Sequence, residues 1–508
     1  MNLPSFIKQT ALRSIAIFLV KAIGLAFRIP LFRILGAEGT GIYQIVYSIY
    51  GFTLTLISGG FPTSLALMTA KDKTRGWQFF RNMSIPFFVF GTGISVLCYV
   101  LAPYIAVFLG DDKLAIPIRF LAPALAIVPL LQLYRGFLQG LELYGIESAS
   151  QLIEQIVRVI TMLFLVIVWM KYGVHTSVGG AVFGAFTGAL IALAFLWILY
   201  NRQKSPHFPL ESGGHEIKSM RWLVFGPGLF WFIKSSLAIT LTRLVVPASD
   251  FVDAIIIPSR LQVSGLSQSE AFAIFGEIFG MAATIVYMPT IITAALSFTI
   301  APKLTADWEN QKKREFVDRS NLSLEIGWFW GIGSIGFLLF HADELAMFIF
   351  GSSSAANAIR YLSFVPLITG MRELTTTMLW AADQKRIPLI GLLFGLVCSA
   401  ASAYVLVAIP NFGHAGAAIS VLVLESISLL WNASFLRKRC KGIFPLFPLL
   451  LSLTFLAAVV FLYPAFESFL FDIGAGSATI RSVGRILFLA ICLILYLMLR
   501  FWRKLRLH

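Results

Sequence analysis

MSIPFFVFGTGISVLCYVLAPYIAVFL, residues 83–109, runs for 27 residues without a formal charge. Wound as a helix, such a run is long enough to cross a ~30 Å hydrocarbon core. Its flanks differ in sign. Lys71, Lys73, Arg75 and Arg81 precede it, and Asp111 and Asp112 follow it. Cytoplasmic loops carry the excess of Lys and Arg, so this span predicts both a membrane crossing and its direction.

The rest of the chain repeats that pattern. Of 508 residues, 58% are hydrophobic and 13% charged, where a soluble domain carries about 25% charged residues. The mean hydropathy is +0.83. The apolar runs mostly lack the polar stripe of a soluble helix. Spans are predicted at 13–35, 43–70, 83–109, 115–139, 148–170, 178–200, 222–246, 271–301, 322–341, 357–382, 388–408, 415–436, 445–464 and 480–499. The fold class is therefore all-α and integral to the membrane, with about fourteen spanning helices.

Charge in alternate loops orients the chain. One set holds Arg202, Lys204, Lys218 and Arg221, then Lys303, Lys312, Lys313, Arg314 and Arg319, then Arg437, Lys438, Arg439 and Lys441. The other holds mainly acids, among them Glu38, Asp343, Glu344, Glu467 and Asp472. Both termini are predicted to be cytoplasmic, in a cell membrane. The net charge of +15 is spent in these loops, which argues against a nucleic-acid partner. Cys98, Cys398, Cys440 and Cys492 show no paired spacing, so neither a disulfide nor a metal site is expected. Lys21 and Arg28 interrupt the first apolar segment, which therefore does not read as a cleavable signal.

An internal repeat is visible. At an offset of 240 residues Gly36 matches Gly276, Pro62 matches Pro302 and Lys73 matches Lys313; at 241, Arg119 matches Arg360 and Glu142 is answered by Asp383. Six spans per copy is an even number, so the copies enter the membrane the same way. The expected domains are an N-lobe at 1–200, a cytoplasmic loop at 201–221, a C-lobe at 222–440, and two further spans with a basic tail at 441–508. Parallel lobes place a binding site at their interface.

Ionisable side chains at mid-membrane cost several kcal/mol on insertion scales, which makes each a candidate. Span 1 holds Lys21 and Arg28 on one helix face, and span 5 holds Glu154 and Arg158 four apart, able to pair. Span 7 holds Lys234 at its centre and Arg243 near its outer end, on opposite faces. Arg28 and Arg243 can also snorkel to an interface. Spans 10 and 12 hold Arg372, Glu373 and Glu425. Spans 1 and 7, so bounded, hold no deep Asp or Glu. Lys21, Arg28 and Lys234, with Glu154, Arg158, Arg243 and Arg372, are thus candidates to bind an anionic headgroup such as a phosphate or pyrophosphate. Glu373 and Glu425 are candidates to couple an ion, Na+ or H+. Arg372 adjoins Glu373 and is expected to pair with it, leaving Glu425 the better ion site. No other cofactor is implied.

Enzyme signatures are missing. The chain has no GxxxxGK[ST] loop and no HExxH, and its six histidines are scattered. A transporter is expected, with a cation-coupled drug exporter as the main rival. A non-transporting scaffold and an intramembrane glycosyltransferase fit less well.

Three stretches carry a resemblance: FRIPLFRILGAEGTGIYQIVYSIY (27–50), YRGFLQG (134–140) with SQLIEQIVRV (150–159), and IFGEIFGMAATIVYMPTIITAAL (274–296). They resemble the stage V sporulation protein B branch of polysaccharide-biosynthesis flippases, within the multidrug/oligosaccharidyl-lipid/polysaccharide exporter superfamily. The resemblance implies a two-lobed, alternating-access transporter, acting as a monomer beside wall-synthesis enzymes. Its substrate would be a membrane lipid-linked saccharide, such as the undecaprenyl-pyrophosphate precursor of peptidoglycan for the spore cortex or cell wall, or another lipid-linked glycan unit. Against the related lipid II flippases, Lys21 and Arg33 match arginines of that group, while Phe27 replaces a deep arginine and Arg28 an acid. Thr284 stands where that group has an arginine in span 8.

Overall fold

The computed structural model describes residues 3–202, 227–440, 442–443, 446–472 and 478–505. Among them the chain is helical, without strands. Ten stretches are each long and apolar enough to cross a membrane, and the described residues of each of the fourteen expected spans fall mostly on helix.

The first unit, Met1–Gly276, opens with α1 (Leu3–Ser58), which is two helices joined at Gly36 (φ 68°, ψ −174°). Only glycine adopts that backbone without strain. Thr40 returns its hydroxyl to the Gly36 carbonyl at 2.6 Å and steadies the break. The first arm is span 1. The second arm continues through Gly59 and Gly60 into α2 (Phe61–Lys71), with Pro62 in its first turn, and the two make span 2. Asp72 then caps α3 (Lys73–Phe108) by accepting from the Arg75 amide at 3.0 Å. α4 (Ala115–Gly140), α5 (Tyr144–Trp169) and α6 (Val174–Arg202) follow.

α7 runs from Pro227 to Val263. The apolar pattern ends span 7 at 246 and leaves 247–270 as a loop. That reading is corrected up to Val263. Ala254, Ile257 and Leu261 are spaced as one helix face and are fully buried, which carries the helix past Pro247 and Pro258. α7 packs on α1 and α2, and α8 (Gln268–Phe275) packs on α1, so both belong to this unit.

The second unit, Glu277–His508, begins in a π-helical turn (Gly276–Ala282). It continues through α9 (Ala283–Val286), α10 (Thr290–Glu309), α11 (Lys313–Phe340), α12 (Ala342–Phe350), α13 (Ala356–Leu362), α14 (Val365–Ala381), α15 (Arg386–Leu406) and α16 (Gly413–Arg439). α17 (Leu446–Asp472) and α18 (Ala478–Leu505) close the chain. Arg485 of α18 fastens both late helices by bonding Glu467 of α17 and Glu344 of α12.

The repeat is written in the backbone. After α4, Glu142 turns left-handed (φ 62°), and the amides of Glu142 and Leu143 return to Gln139 and Leu138, both at 3.0 Å. After α14, Asp383 does the same (φ 56°), with Asp383 and Gln384 returning to Trp380 at 3.0 Å and Leu379 at 2.8 Å. Both are Schellman caps. Gly110 (φ 88°) and Gly351 (φ 74°) are a second pair of left-handed helix ends, also 241 residues apart.

Candidate functional site

The turn at residues 141–143 lays α5 against α4, and YRGFLQG shows why the two interlock. Gly136 and Gly140 face α2. A Cβ on Gly140 would lie 2.6 Å from the Ala66 carbonyl oxygen, and one on Gly136 2.6 Å from the Pro62 Cα. Arg135 and Gln139 share the neighbouring face, four residues apart, and turn to α5. Gln139 and Gln151 donate to one oxygen of Glu147 at 2.7 and 2.9 Å. One turn deeper, Arg135 donates through Nη1 to Glu154 at 2.6 Å, and through Nε and Nη2 to the Ser150 hydroxyl at 3.1 and 2.9 Å. Arg158 closes on the other oxygen of Glu154.

Arg135 is 3% exposed, Glu147 1% and Glu154 7%, so the cluster holds one guanidinium group and two carboxylates out of water. The Arg158 side chain is 21% exposed, and its Nε is buried with no acceptor among the described residues. Arg158 lies within electrostatic reach of Tyr43, Tyr47 and Tyr50 on the second arm of α1. Tyr43 and Tyr47 stack, their ring centroids 5.4 Å apart. Arg28 reaches Tyr43 from the first arm, and also Asp250 of α7. Asp253, one turn on, is buried.

The structure thus brings Glu154, Arg158 and Arg28 into one neighbourhood. Lys234 is exposed on the side of α7 opposite buried Phe232 and Ser236. Arg243 donates to the Gly59 carbonyl at 2.7 Å, at the break in span 2. Lys21 lies in α1, and its side chain is outside the described residues.

In the second unit Arg372 of α14 pairs through Nε with Glu425 of α16, not with its sequence neighbour. Adjacent residues point about 100° apart on a helix, so Glu373 cannot face Arg372 as a residue on a packed neighbouring helix can. Glu373 remains within electrostatic reach of Arg372. Further along the same helix contact, Asn432 donates to Thr376 at 3.0 Å.

Residues 6–265 match the family described as polysaccharide biosynthesis protein. The chain belongs to that family. It is similar to stage V sporulation protein B of Bacillus subtilis, with 24% identity over 85% of this chain and 84% of that one. Its fold is that of two solved structures. The lipid II flippase MurJ in an inward closed conformation gives a TM-score of 0.67 at 15% identity, over 97% of this chain and 100% of that one. An inward-facing MATE family transporter of the MOP superfamily gives 0.68 at 14% identity, over 83% and 95%. This member of the polysaccharide biosynthesis family is therefore a multi-pass membrane protein with the fold of those two transporters.

Sequence reasoning missed three features of this family member. Arg135 sat unremarked in an apolar span, although its four-residue spacing to Gln139, opposite Glu147, Gln151 and Glu154, was a legible signal. Asp250 and Asp253 were missed because span 7 was ended too early. Two histidines taken as scattered are paired: His175 Nε2 with Asp111, and His414 Nε2 with Glu277, each at 2.7 Å.

Proposed function

We propose that the protein flips a lipid-linked saccharide, of the undecaprenyl-pyrophosphate peptidoglycan-precursor type, across the bacterial cytoplasmic membrane. The observation that carries this is Arg158, a deep cation 21% exposed whose carboxylate partner Glu154 is already held by a second arginine, Arg135. A deep cation that shares its carboxylate has charge to spare for a partner, and a lipid phosphate supplies one. Arg28 acts electrostatically on Tyr43, as Arg158 does, and Lys21, Lys234, Arg243 and Arg372 are the further cations of this reading. Glu373 and Glu425 take the coupling Na+ or H+. Both termini face the cytoplasm, so a label at Ser212 reports the inside and one at Gly474 the outside; both positions lie outside the described residues.

Asp250 and Asp253 favour a second reading, a cation-coupled exporter of cationic compounds, because they place acids in the first unit. One experiment separates the two. In vesicles containing the purified protein, a lipid-linked pyrophosphoryl saccharide is offered in one leaflet and its arrival in the other is read with an impermeant reagent. Accelerated arrival, abolished in R158Q, supports the flippase. Accelerated efflux of a cationic dye without lipid transfer supports the exporter.

A further inference from the structure

We propose that Arg135 is a positioning residue: by neutralising Glu154 from behind, it leaves the charge of Arg158 available to an anionic group of the substrate. This rests on the flippase reading and adds a residue that makes no contact with substrate.

Glu154 has two oxygens and two guanidinium partners. Arg135 occupies Oε2 at 2.6 Å, and Arg158 occupies Oε1. The two arginines differ in everything else. Arg135 is buried and spends its remaining donors on Ser150 at 3.1 and 2.9 Å. Arg158 is the more open of the two and keeps a buried Nε without an acceptor among the described residues. A lone Glu154–Arg158 pair would be neutral and would hold an anion no better than a dipole. Adding Arg135 restores one net positive charge, and burial places it at the exposed member. Gly184 and Gly188 of α6 press on this part of α5: a Cβ on Gly188 would lie 2.6 Å from the Glu154 carbonyl and 3.0 Å from the Arg158 Cβ. The cluster is thereby backed by α6.

The logic is a charge balance, so its test is a rescue. Full-length protein in detergent is titrated with farnesyl pyrophosphate as probe. R135Q leaves Glu154 to Arg158 alone and should weaken binding about tenfold or more. Adding E154Q removes the acid that captured Arg158, and R135Q/E154Q should bind within about threefold of wild type. A structural role for Arg135 does not produce that rescue. R135Q binding as wild type, or a double variant as weak as R135Q, overturns the proposal. Should R135Q fail to fold, R135K keeps the charge without the fork, and must outbind the folded control E154Q/R158Q.

A second readout needs no substrate. The rate at which phenylglyoxal modifies Arg158, followed by mass spectrometry, should fall in R135Q and recover in R135Q/E154Q. If wild type ignores the pyrophosphate while this pattern appears, the flippase reading fails and the positioning inference stands. If all variants react alike, the inference fails whatever the substrate.

Discussion

The two units carry the same turns and different buried charges. Glu142 and Asp383 close identical caps after α4 and α14. Yet in the first unit the arginine of α4 meets its carboxylate on α5, the next helix, whereas in the second the arginine of α14 skips α15 and meets its carboxylate on α16. The sequence accounts for the switch. α15 has no charge beyond Arg386 at its start, and α6 has none between Val174 and Tyr200, while α5 and α16 hold the acids. The backbone of the repeat is held by local capping, which tolerates changes elsewhere. The charge ladders depend on single residues and have moved to another helix. Their balance has moved too: two cations to one anion around Glu154, against one cation with Glu425 and Glu373 nearby.

That difference in redundancy sets the largest expected effect. R372Q strips Glu425 of its guanidinium and leaves a buried carboxylate, which should cost about 3–5 kcal/mol. R372Q/E425Q should return most of that loss, since two neutral groups of similar shape remain. Thermal unfolding in detergent measures both. A single variant as stable as wild type would mean that Glu373 or a neutralised Glu425 carries the site, and the contrast between units would fall.

R135Q tests the other side of the comparison. Glu154 keeps Arg158, so stability should drop by only about 1–3 kcal/mol, mostly from the Ser150 and Glu154 hydrogen bonds. A loss as large as that of R372Q would show that Arg158 does not cover Glu154 alone. R158Q should weaken a pyrophosphate probe by about 1.5–3 kcal/mol while barely moving the unfolding temperature, because Arg135 still holds Glu154. The reverse result, a stability loss with binding intact, would make Arg158 a structural residue.

How much of this was legible before the fold depended on whether a feature is local. The helices were: an uncharged run such as 83–109 has no other way to satisfy its backbone in lipid. The Glu154–Arg158 pair was, because four-residue spacing fixes it. Arg372–Glu425 was not, since 53 residues separate the partners and sequence adjacency suggested Glu373 instead. Arg135 needed only the further step of reading one helix against the next. Asp250 and Asp253 were hidden by a boundary: span 7 was bounded at 246, and the buried stripe beyond Pro247 carries the helix on.

The smallest expected effect on folding is at Lys234, and it is the most informative about function. Lys234 is exposed, on the α7 face opposite Phe232, Ser236 and Thr240, which are buried. Replacing it by alanine removes no packed group and deletes a charge from a membrane helix, where charge is disfavoured. Stability should therefore stay within about 0.5 kcal/mol of wild type. Transport should not be spared if Lys234 meets the cargo: K234A should express normally and fail to complement a null strain, and K234R should partly rescue, keeping the charge while changing its reach. This separates Lys234 from Arg28, whose charge is shared with Asp250 and whose removal also leaves that acid unbalanced. Full complementation by K234A at native expression would remove Lys234 from the substrate path and leave the anion to the Arg28–Arg158 neighbourhood.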